Sequence, residues 1–137
     1  MVPWSISALK PCAFAGLALT VAALHLPATA QAQSLVAGIW SGSIIDPYGQ
    51  SKPVVYDVAG PPDSLSITLS QPSGGRPVAF ADVHLVADTL SFRWAGGAQG
   101  SRVACKLLRQ TDGGYEGSCF DSQGREGRMR MVPPRKQ

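Results

Sequence analysis

From Ala37 to Val132 the chain meets a turn about every ten to fifteen residues, and none of these connections is long enough to hold a crossover helix. The punctuation is Asp46-Pro47-Tyr48-Gly49, Gly60-Pro61-Pro62-Asp63, Gly74-Gly75, Ala87-Asp88, Gly96-Gly97, Asp112-Gly113-Gly114 and Gln123-Gly124. Gly supplies positive φ, Pro presets φ, and Asp bonds its own backbone two residues on, so these stretches turn the chain for separate physical reasons. Parallel neighbours need connections of about a dozen residues or more. Strands joined this tightly must therefore pair antiparallel in chain order.

Between the turns apolar and polar residues alternate, the period of a strand with one buried face. The runs predict eight strands: 37–45, 53–58, 65–70, 79–86, 89–94, 102–109, 115–120 and 126–132. Alternation places Trp40, Ile44, Val54, Tyr56, Val58, Leu65, Ile67, Leu69, Val83, Leu85, Leu90, Phe92, Trp94, Val103, Leu107, Met129 and Met131 on one side. Asp57, Asp82, His84, Arg93, Lys106, Glu116, Arg128 and Arg130 fall on the other. An open sheet of this kind would leave its apolar face wet and two edges unpaired, and closure removes both problems. The expected fold is all-β, an eight-stranded antiparallel up-and-down meander closed into a small barrel, in a single domain spanning 33–137 with a short basic tail.

The first thirty-two residues read differently. Met1 to Leu9 has no acidic residue, Lys10 adds a positive charge, and Pro11 to Leu26 is apolar except for Thr20 and His25. Pro27 then precedes two A-x-A triplets, Ala28-Thr29-Ala30 and Ala30-Gln31-Ala32, the pattern of a cleaved signal peptide. A spanning helix wants about 20 apolar residues, more than this run supplies. The expectation is an exported, periplasmic or extracellular protein with no stable membrane insertion after cleavage. Removing residues 1–32 also removes Cys12 and leaves Cys105 and Cys119, an even count in an oxidising compartment. Each is seven residues from Asp112 at a predicted turn, so they face each other across a hairpin and form a disulfide.

The mature N-terminus, Leu35-Val36-Ala37-Gly38-Ile39-Trp40-Ser41-Gly42, carries a G-x-W that resembles the first-strand signature of lipocalins and other calycin barrels. Gly117-Ser118-Cys119-Phe120, followed by Gly124, is similar to the G-x-C-F hairpin of avidin-type barrels. The lipocalin resemblance implies that Gly38 turns the chain into the first strand and Trp40 closes one end of the barrel. It also implies an arginine of the last strand over that indole. Arg128 and Arg130 are the candidates, although alternation points both away from the Met129 and Met131 face. In size and in its G-x-W start the chain also resembles exported bacterial inhibitors of metalloproteases, which place their disulfide near the early strands, and a barrel that precedes some bacterial serine-hydrolase domains.

Candidate chemistry is sparse. His84 is the only histidine beyond residue 32 and shares its outward face with Asp82, half of a dyad without a nucleophile motif such as G-x-S-x-G. A zinc site wants three or four convergent ligands, the aspartates lack EF-hand spacing, and Gly96-Gly97 lacks a P-loop lysine. No enzyme activity, cofactor or metal is expected. From Gln33 onward eleven Lys and Arg stand against nine Asp and Glu, and the excess lies in Arg125, Arg128, Arg130, Arg135 and Lys136. With Glu126 among them this reads as a solvated strand and tail rather than a nucleic-acid surface. Eight strands enclose room for side chains or one small ligand. The inward residues include two Trp, a Phe, a Tyr and many Leu, Ile and Met, so a largely filled core is expected; a carrier cavity is the alternative, if the large residues crowd one end and Gly42, Ala81 and Gly117 open the other. The function expected is a monomeric binding module for a protein or a small apolar ligand, with its rim at Pro47-Tyr48-Gly49 and Pro72 to Arg76 and with Tyr48, Arg76 and Trp94 as rim candidates. The alternative is a periplasmic protease inhibitor that inserts its N-terminal arm, Gln33 to Ala37. On export, the intact mass of the recovered protein is expected to correspond to a first residue of Gln31 or Gln33; a product retaining Met1 to Leu26 overturns the signal reading.

Overall fold

The structure, a computed structural model, describes residues 35–96 and 100–136; the expected signal segment, 1–32, lies outside them. Nine strands form one sheet: β1 (Gly38–Ile45), β2 (Ser51–Ala59), β3 (Ser66–Ser70), β4 (Val78–Ala79), β5 (Ala81–Val86), β6 (Thr89–Ala95), β7 (Arg102–Arg109), β8 (Tyr115–Asp121) and β9 (Glu126–Val132). The order is β4-β3-β2-β1-β9-β8-β7-β6-β5, antiparallel throughout. It is the meander expected from the short turns, joined between its first and last strands by the pairing of Ser41–Ile45 with Arg128–Val132.

The strand count is nine rather than eight because the run predicted over 79–86 is broken at Phe80. Val78 and Ala79 pair with Leu69 and Thr68 of β3, and the Phe80 N–H still donates to the Ile67 carbonyl at 2.9 Å. From Ala81 the chain pairs with β6 instead, with an irregularity in register between Ala81 and His84 and a positive φ of 51° at Asp82. One continuous run thus supplies both outer strands of the sheet. The barrel is nearly closed, with its seam at a single residue.

Phe80 is buried at the seam. Its ring stacks on Phe92 at 4.1 Å between centroids and lies within 6.5 Å of the Tyr56 and Trp94 rings. In a continuous strand Phe80 would share the outward face of Asp82 and His84. The break turns a large aromatic inward, where its burial is favourable, and the bulge restores the phase so that Val83 and Leu85 pack against the core.

All seventeen residues assigned inward by alternation belong to the core or pack against it. Leu35, Phe80, Tyr115, Cys105 and Cys119 join them. No polar or charged residue among the described ones is buried. Cys105 and Cys119 are direct cross-strand partners with Cα atoms 4.1 Å apart and are disulfide-bonded. On the loop-closure model a loop of this length contributes about 3 kcal/mol, a large share for a domain this small.

Two glycines hold strands close. At Gly42 a Cβ would overlap the Arg130 carbonyl oxygen and the Tyr56 ring, and at Gly117 it would overlap the Lys106 carbonyl oxygen. The expectation that Gly42, Ala81 and Gly117 open one end of the interior is therefore corrected: the two glycines sit against backbone, and Ala81 is exposed. The Tyr56 hydroxyl donates to the Arg130 carbonyl at 3.1 Å across that contact, and burial pushes its phenol pKa up.

Replacing Phe80 by Ala removes the seam's aromatic stack and is expected to destabilise the protein by about 3 kcal/mol, measured by denaturant unfolding. A loss below about 1 kcal/mol would show that the seam does not depend on that ring.

Candidate functional site

The two ends of the barrel differ. One end receives Leu35–Ala37 and the β2–β3, β5–β6 and β7–β8 connections. It is closed: Trp40 is 2% exposed, its indole N–H donates to the Val36 carbonyl at 2.8 Å, and its ring lies 6.3 Å from that of Tyr115, with Leu35 also buried. Gly38, with φ of 135°, leads the chain into β1 under Pro134. Gly38 and Trp40, the residues named from the sequence for barrel closure, both lie at this end.

Neither Arg128 nor Arg130 covers the indole. Arg128 pairs with Glu116 at 3.3 Å, and Arg130 pairs with Asp112 and Glu116 at 3.2 and 3.5 Å, all on the outer surface. The basic strand is thereby locally neutralised by the carboxylates beside it. Pairs this exposed contribute little to stability.

The opposite end carries a cavity of about 300 Å³ between the turns that follow β1, β3, β6 and β8. Its walls are inward side chains of the strands, among them Ile44, Val54, Val103, Met129, Cys119 and Trp94. Wider depressions of about 770 and 640 Å³ lie on the outer face of β7 and β8 and around the closed end, but neither reaches the inward face of the mouth.

Two turns of matching construction frame this mouth. In Asp46–Gln50 the Asp46 Oδ1 accepts from the Tyr48 and Gln50 N–H groups at 2.9 Å, and the Gly49 N–H donates to the Asp46 carbonyl. In Asp121–Arg125 the Asp121 Oδ1 accepts from the Gln123 and Arg125 N–H groups at 2.9 Å, and the Gly124 N–H donates to the Asp121 carbonyl. Gly49 and Gly124 have φ of 84° and 76°, the left-handed position that such hairpins require. The β1–β9 pairing sets the two turns side by side, and Arg125 joins them. Its Nε lies 2.7 Å from Asp121 Oδ2, its Nη1 donates to the Tyr48 hydroxyl at 2.6 Å, and its guanidinium lies over the Tyr48 ring at 5.7 Å.

Of the rim candidates, Tyr48 and Trp94 line this cavity. Arg76 sits on an exposed loop at the same end but does not line it. Among the described residues, the Trp94 indole N–H is buried without a hydrogen-bond partner. Asp82 and His84 lie elsewhere, exposed on β5. The Asp82 carboxylate is 3.5 Å from Arg93 Nε, and no hydrogen bond joins it to His84 among the described residues, so the dyad is not assembled.

Lys52, Gln71 and Asp121 line the mouth without having been singled out from the sequence, and Arg125 and Arg128, read there as part of a solvated basic strand and tail, line it as well. Lys52 keeps the parity of Val54, Tyr56 and Val58, and the repeated D-x-x-G-x of Asp46–Gln50 and Asp121–Arg125 was readable. Those signals were present in the pattern already used to assign the strands.

Comparison with known protein families, with curated proteins and with solved structures finds no match to this chain.

The Asp121 carboxyl is held below the ordinary aspartate range, first by the Arg125 backbone N–H and then by the Arg125 side chain and the Gln123 N–H, with desolvation opposing them. A carboxyl with a lowered folded pKa adds stability above its unfolded pKa of about 4, and loses it as pH falls through the folded value. Asp121→Asn is therefore expected to be less stable than the parent at pH 7 and to show a shallower loss of stability below about pH 4. Denaturant unfolding across that range checks this, and parallel acid limbs would refute the role of the turn carboxylate.

Proposed function

We propose that the protein is an exported, monomeric, non-enzymatic barrel that holds a small, largely apolar ligand at the mouth framed by the Asp46 and Asp121 turns. The carrying observation is the 300 Å³ cavity walled by inward apolar side chains at one end of a barrel whose other end is closed. That volume is at the small end of the range for ligand sites. Trp94 adds a buried donor without a partner among the described residues to the same wall, and such groups carry a cost unless something satisfies them. The disulfide is compatible with export.

The inhibitor reading has less support. Leu35 is buried at 6% exposure and the Val36 carbonyl is bonded to Trp40, so this part of the arm serves as a plug for the closed end. An arm that must enter a partner's cleft would have to leave that seat.

Native mass spectrometry of the protein purified from its own host is expected to show a retained small molecule. A Val103→Trp variant, whose indole would occupy the cavity, is expected to lose it. A parent protein recovered only empty, and unable to take up any apolar probe, would overturn the proposal.

A further inference from the structure

The charges at the mouth point to the class of ligand. Inward parity continues past the apolar layer into polar residues at this end: Lys52 follows Val54 on β2, Gln71 follows Leu69 beyond β3, and Asp121 follows Cys119 on β8. Lys52 is directly opposed to Ile44, itself an inward residue of β1, so its stem rises from the same face of the sheet as the cavity wall.

The acidic groups of this rim are already engaged. Asp46 Oδ1 accepts two backbone N–H groups of its own turn. Asp121 accepts two more on Oδ1 and pairs Arg125 through Oδ2. Arg128 also lines the cavity, but its guanidinium is paired with Glu116 at 3.3 Å. Lys52 is left as a cation that makes no ion pair among the described residues, and it lines the same cavity as Gln71 and Val54. A chain that wanted only an apolar mouth would have no use for an ammonium at an inward position.

Resting on the ligand-binding reading, we infer that the cavity takes a small anionic amphiphile of the monocarboxylate class, with its headgroup at Lys52 and Gln71 and its apolar chain against Ile44, Val54, Val103 and Met129. At about 30 Å³ per water, the cavity holds the equivalent of roughly ten waters, which suits a ligand of about ten non-hydrogen atoms. Octanoate has that size. A longer chain would have to protrude past the rim, because the interior beyond Met129 is filled by Tyr56, Leu107 and Met131, all fully buried.

Isothermal titration of the full chain, expressed for export so that the Cys105–Cys119 bond forms, tests this with octanoate, octanol and octylammonium. Octanoate is expected to bind about tenfold more tightly than octanol, as one charge-assisted hydrogen bond predicts, and octylammonium more weakly than either. Lys52→Met is expected to remove about tenfold of octanoate affinity and leave octanol unchanged. Lys52→Glu is expected to bring octylammonium above octanoate, a gain that misfolding could not produce. Octanol binding as tightly as octanoate, or a Lys52→Met variant with unchanged octanoate affinity, overturns the anionic class while sparing the ligand-binding reading. Binding of none of the three, in parent and variants alike, overturns both.

Discussion

The pairing of β1 with β9 is the contact on which the other features depend. It joins the first strand to the last, the largest sequence separation any strand pair in this fold spans, and it turns a meander with a wet apolar face into an enclosed interior. Its register also requires a particular residue. Gly42 faces Met131 where the Arg130 carbonyl and the Tyr56 ring come closest, and no side chain fits there. The same register brings the β1–β2 turn beside the β8–β9 turn, so that Arg125 can reach Tyr48. Without it there would be two distant hairpin ends and no mouth.

Closure at the other side is managed by a different device. A run of residues 78–86 cannot pair along its whole length with both β3 and β6 in a barrel this small, and the chain divides it at Phe80. The first half extends β3 and the second half extends β6, with the ring of Phe80 filling the corner against Phe92. The bulge at Ala81–His84 and the positive φ of Asp82 are what such a change of direction demands. They also interrupt the outer edge of β5, where an unbroken strand would present a template for another chain.

Much of this architecture was legible because a strand has a side-chain period of two and antiparallel turns are short. Alternation alone distributed Trp40, Tyr56, Phe92, Met129 and the other inward residues correctly, and the symmetric spacing of the cysteines about Asp112 located the disulfide. The seam was not legible in the same way, since Val78 to Val86 reads as one apolar-rich run and the competing demand, that both sheet edges be served by it, exists only once the barrel is closed. The outward phase of Phe80 in an unbroken strand was the one local sign of conflict. At the mouth, Tyr48 stood out as an aromatic within a turn and Trp94 as an inward aromatic near the end of its strand, whereas Lys52 did not, because charge is ordinarily read as an outward label regardless of parity.

The distribution of polar groups along the barrel axis follows from the same alternation. Through the middle and the closed end the inward positions are apolar or aromatic, and among the described residues no charged residue is buried as a whole, as the desolvation cost of an unpaired charge requires. Only in the last inward layer, where Lys52 and Gln71 are exposed and Asp121 is paired with Arg125, does the pattern change sign. Packing does not explain that layer, since apolar residues there would have continued the core and filled the cavity. Asp121 is accounted for by the turn it organises and by Arg125. Lys52 has no structural duty of that kind, and a local departure from the pattern that built the rest of the fold is where function is to be sought.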